Sequence, residues 1–98
     1  TLVRRINFIA DYVGDVSYPG VQGLIQNLID YGPTLEPEEL VDGCLKLLGH
    51  YELSKENYDM LVEHARKDGD IVTNRKGFPE QASQLLQMIV ATKEYLYA

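Results

Sequence analysis

In every patterned stretch of this chain the apolar residues recur at steps of three and four, a spacing that brings them to one face of a helix. Leu2, Val3, Ile6, Ile9, Ala10 and Val13 predict a first amphipathic helix over 2–13, with Arg4, Arg5 and Asp11 off the stripe and Gly14-Asp15 as its stop. Ser17-Tyr18-Pro19-Gly20 reads as a turn-rich connector. From Val21 the pattern resumes with Leu24, Ile25, Leu28 and Ile29, and Gly32-Pro33 ends this second helix, since proline disfavours helical geometry in the residue before it.

Pro37 starts a third helix, with Glu38 and Glu39 at the positive end of its dipole. Leu40, Val41, Cys44, Leu45 and Leu48 form its apolar face, and Gly49 closes it. Ser54 is placed to cap a fourth helix, whose face is Tyr58, Leu61, Val62 and Ala65 and which Gly69 ends. The third and fourth helices are expected to form a hairpin. Asp68 to Gly77 carries no pattern and reads as a surface loop. Phe78-Pro79-Glu80 opens a last helix with Ala82, Leu85, Leu86, Ile89, Val90, the stem of Lys93 and Leu96 on one face. No segment alternates with a period of two. The predicted fold is therefore all-α, an irregular or orthogonal bundle of about five short helices in one domain spanning residues 1–98.

Composition narrows the function classes. At 98 residues, area scaling lets the chain bury roughly two-thirds of its unfolded surface, a modest core. Nine Lys plus Arg against fifteen Asp plus Glu give a net charge of −6, which disfavours nucleic acid and anionic membrane as partners. No apolar run approaches the ~18 residues of a membrane span. One cysteine makes no internal disulfide, and one thiol with two histidines is too few for a zinc cluster.

The remaining groups favour structure over chemistry. Cys44 with His50 or His64 is the only pairing that suggests an activated thiol, yet Cys44 sits on an apolar helical face, where free cysteine acts as a small hydrophobe. Asp68-Gly69-Asp70 fails as a calcium loop because the twelfth position from Asp68 is Pro79, where a bidentate Glu is needed. Gly14, Gly20 and Gly23 are not spaced as a phosphate loop. The serines lack the Asp-Ser-Leu context of an acyl carrier protein. Asn74-Arg75-Lys76 reads as a solvated turn. Of the seven tyrosines, Tyr12, Tyr18 and Tyr31 fall near helix ends, where they are expected to close the rim of a small core. No catalytic, cofactor-binding or metal-binding residue is expected.

Several stretches resemble the carboxy-terminal part of a bacterial family, the large, mainly helical proteins known as domain of unknown function 1800. They are Thr1-Leu2-Val3-Arg4-Arg5-Ile6-Asn7-Phe8, Pro37-Glu38-Glu39-Leu40-Val41-Asp42 with Leu45, Leu47 and Leu48, Leu53-Ser54, and Leu86-Gln87-Met88-Ile89-Val90-Ala91-Thr92-Lys93-Glu94-Tyr95. Family members typically end the last motif with Ser-Pro-Glu-aromatic; Thr92-Lys93-Glu94-Tyr95 lacks that proline, which is expected to let the last helix run on. The resemblance implies a fragment of a longer, usually exported protein, often encoded beside a protein that resembles sulfatases. It implies no established activity and no site residue.

The functional expectation is a non-catalytic helical module that packs on the rest of its parent chain, associates with itself or binds a protein partner. Leu24, Ile25, Leu28 and Ile29 form its candidate interaction face. The alternatives are an accessory segment of an enzyme, such as a hydrolase, contributing His50 or the Asp68 to Lys76 loop, and a small regulator whose acidic surface binds a basic partner.

Overall fold

Three of the chain's four prolines stand in the first turn of a helix, where a missing N–H costs nothing and the fixed φ already suits the helix. The computed structural model describes residues 9–49 and 52–92. Helical backbone covers 9–13 (α1), Pro19–Tyr31 (α2), Pro37–Leu47 (α3), Lys55–Arg66 (α4) and Phe78–Val90 (α5). Two short strands, Thr34–Leu35 (β1) and Ile71–Val72 (β2), complete the order. The all-α bundle predicted from the spacing is the fold observed. Residues 2–8, His50, Lys93 and Leu96, all part of those expectations, lie outside the described residues.

Local chemistry sets the helix ends. The Glu39 carboxylate reaches back to accept the Glu36 N–H at 2.7 Å, half of a capping box that fixes the start of α3. Ser54 Oγ accepts the Asn57 N–H at 3.1 Å and caps α4. Gly49 and Gly69 follow α3 and α4 with φ of 105° and 88°, a backbone region open to glycine.

α3 is the hub, packing on α2, α4 and α5, while α2 and α4 also touch α5. Leu40, Val41 and Cys44 of α3 are fully enclosed with Leu61 of α4 and Phe78, Leu86 and Ile89 of α5. α1 lies against α5, where Ser83 Oγ donates to the Val13 carbonyl and Gln87 Nε2 to that of Ala10 at 3.2 Å. The approach is close enough that a Cβ at Gly14 would stand 2.2 Å from Gln87 Nε2.

Three expectations are corrected. Pro19 and Gly20 are the first residues of α2 rather than its connector; the turn before them is held by Asp15 Oδ1, which accepts the Ser17 N–H at 2.9 Å. α5 ends at Val90 and does not run on through residues 91–92, and Thr92 Oγ1 donates to the Ile89 carbonyl at 2.7 Å. The stretch 68–77 is a surface loop at 68–70 and 74–77, as expected, but its middle is not. Its β2 pairs antiparallel with β1, Thr34 opposite Val72 and Leu35 opposite Ile71, and Ile71 and Thr73 are buried.

Thr73 fastens this crossing. Its N–H donates to the Pro33 carbonyl at 2.9 Å and its Oγ1 to the Gly32 carbonyl at 2.8 Å. Thr73→Val keeps the shape and deprives Gly32 of that donor, so a loss of about 1–3 kcal/mol is expected on urea denaturation. A change below about 0.5 kcal/mol, as at an ordinary surface position, would contradict the buried crossing.

Candidate functional site

Between α2 and α3 lies a trough of about 600 Å³. Its α2 wall carries Gly20, Gly23, Leu24, Asn27, Leu28 and Tyr31, the three- and four-residue steps of one helix face. The opposite wall carries Glu39, Asp42, Gly43, Lys46 and Leu47, with Leu35 of β1 at one end. Gly43 sets the depth of contact below: a Cβ there would meet Leu28 Cδ2 at 3.0 Å.

The polar rim is held in place. Tyr31 OH donates to Glu39 Oε2 while the carboxylate's other oxygen serves the Glu36 N–H. The Tyr31 hydrogen bond, and then the Glu36 amide, hold the Glu39 carboxyl below its ordinary range; the same bond and the carboxylate charge push the Tyr31 phenol up. Further along, Tyr58 OH donates to Asp42 Oδ1 at 2.8 Å. Partial burial first, then Asp42, pushes the Tyr58 phenol up to about 12. Both phenols therefore remain protonated donors at neutral pH, and each pins one carboxylate.

The expected interaction face is largely spent on the core. Leu24, Ile25 and Leu28 are buried, and only Ile29, at 38% exposure, stands out. The reason is topological: α2 must cover both α3 and α5, so the densest part of its stripe turns inward. Leu24 and Leu28 reach the surface only as the floor of the trough. Tyr31, expected to close the core rim, is instead 69% exposed. Tyr12 and Tyr18 stack on each other with ring centroids 4.4 Å apart.

The other candidates separate. Cys44 is sealed in the core with Sγ 3.9 Å from the Ala82 carbonyl, and burial pushes its thiol up to about 12. His64 is half-buried on α4. Among the described residues no group of three His, Cys, Asp or Glu side chains could hold a metal ion, and no helix is long and apolar enough to cross a membrane. Arg75 shares a second, polar cleft with Asp68 and Glu80, whose charges oppose an anion there.

Gly20 and Gly23, unsuited to a phosphate loop, both line the α2 wall, but a Cβ at Gly20 would meet the Tyr12 hydroxyl at 3.0 Å. A Cβ at Gly23 would meet nothing within 4 Å. Gly23→Ala is therefore expected to raise stability by about 1 kcal/mol, the helix-propensity difference, seen as a higher urea midpoint with unchanged slope. No family model matches this chain, and no curated protein and no solved structure matches it.

Proposed function

We propose that this chain is a non-catalytic helical interaction module of a larger protein, and that the α2–α3 trough receives a segment of a protein partner or of the parent chain. The observation that carries this reading is the trough itself: an apolar floor of Leu24, Leu28 and Leu35, an exposed Leu47 on the far wall and hydrogen-bonded carboxylates above. The α2 wall from residue 20 to 31 is about 16 Å long, three turns of helix, which suits a polypeptide better than a compact small molecule. The resemblance to the carboxy-terminal part of domain of unknown function 1800 supports a packing unit of a longer chain.

Selection from a displayed random-peptide library tests it, with Gly23→Leu as the blocked competitor. Peptides retained by the native chain and lost on the variant are expected. Selection that enriches only peptides indifferent to Gly23→Leu would remove the trough as a docking surface.

A further inference from the structure

Resting on the reading of the trough as a docking surface, we infer that its occupant is an amphipathic α-helix with basic residues flanking its apolar ridge. Gly23 is the first reason. A glycine inside a helix weakens it, and none of the described residues occupies the space its side chain would fill. A bare position of that kind lets another helix bring its backbone close. The walls are the second. Both long walls are helices whose main-chain groups are bonded internally, and the one strand at the trough, β1, is two residues long and stands at its end, so recognition along the walls must come through side chains at helical spacing.

Charge selects the flanks. Glu39 and Asp42 stand on one wall, each held by a tyrosine hydroxyl, and Lys46 is the one cation among the described lining residues. The chain as a whole carries −6, so a second copy or an acidic segment would approach against the field, while Lys or Arg would meet carboxylates already oriented to accept them. The regular spacing of the two acids, i and i+3 on α3, places them on the same side of the occupant.

The test uses the whole 98-residue chain and two fluorescein-labelled 18-residue amphipathic peptides, one built of Leu and Lys and one of Leu and Glu, followed by anisotropy at low and high salt. The Leu/Lys peptide is expected to bind at least tenfold more tightly than the Leu/Glu peptide. Gly23→Leu and, as a second block, Leu47→Lys should each weaken it at least tenfold with the helical circular dichroism retained. The double variant Glu39→Gln with Asp42→Asn, which removes the charges and leaves each side chain one amide oxygen as acceptor, should weaken it severalfold and flatten its salt dependence with the helical circular dichroism retained. Leu/Lys binding untouched by both blocking variants would be attraction to acidic surface alone and would overturn the inference. So would equal affinity for the two peptides, or no binding of either. Displayed peptides that depend on the open trough but prove acidic or extended would overturn the basic helix and leave the docking reading standing.

Discussion

Phe78→Ala should lower the unfolding free energy by about 3–5 kcal/mol, a large part of the 5–15 kcal/mol that holds a typical domain. Phe78 is the largest fully buried side chain among the described residues, and it sits at the first position of α5, its N–H bonded to the Arg75 carbonyl at 3.0 Å. Truncation there loses the transfer energy of the ring and leaves a cavity in the core that the surrounding close-packed structure fills only in part. Urea denaturation should show a lower midpoint with the slope unchanged. A loss under about 1 kcal/mol would mean that the ring is solvated and α5 starts elsewhere.

Cys44 is expected to resist thiol reagents until the chain unfolds. Its thiol is raised from 9.0 to about 12 by burial. The native thiolate fraction near pH 8 is then roughly a thousandth of that of an exposed cysteine, before the closed core adds its own barrier. Labelling with iodoacetamide should be at least a hundredfold slower natively than in urea, and rapid native labelling would refute the enclosed site. The same shift ties stability to pH. Above about pH 9 the unfolded chain loses the thiol proton first and binds fewer protons than the native one, so stability falls as pH rises toward 12. The loss from this group approaches ~1.4 kcal/mol per pH unit. The raised Tyr58 phenol acts in the same direction, so Cys44→Ala, which removes only the thiol, should reduce the alkaline slope without abolishing it.

Much of the bundle was readable from short windows of residues. Ser54 and Pro37 mark their helix starts, Gly49 and Gly69 their ends, and Leu40, Val41, Cys44, Leu61, Val62, Ala82, Leu85, Leu86, Ile89 and Val90 are buried on the faces their spacing named. Phe78 was legible as a helix start and not as core, because a residue at the first position belongs to no repeating stripe. Ile71 and Thr73 were hidden for a related reason. Two-residue strands have no period to detect, and the partners Thr34 and Leu35 lie more than thirty positions away.

The trough was the least legible feature. The α2 stripe showed that Leu24, Ile25 and Leu28 must be covered without showing by what, and so read as an outward face. Gly23 stood out only as a poor phosphate-loop candidate, and Tyr31 read as a ring at the edge of a core.

Helix positions, caps and apolar sides follow from residue order because propensity, capping and periodicity act within one or two turns of chain. Which side of α2 stays open, which carboxylates meet a tyrosine, and that Ile71 and Thr73 are buried depended on how distant segments dock. Those outcomes come from close packing among distant segments, where volume and hydrogen-bond satisfaction are decided jointly, and no local window contains them.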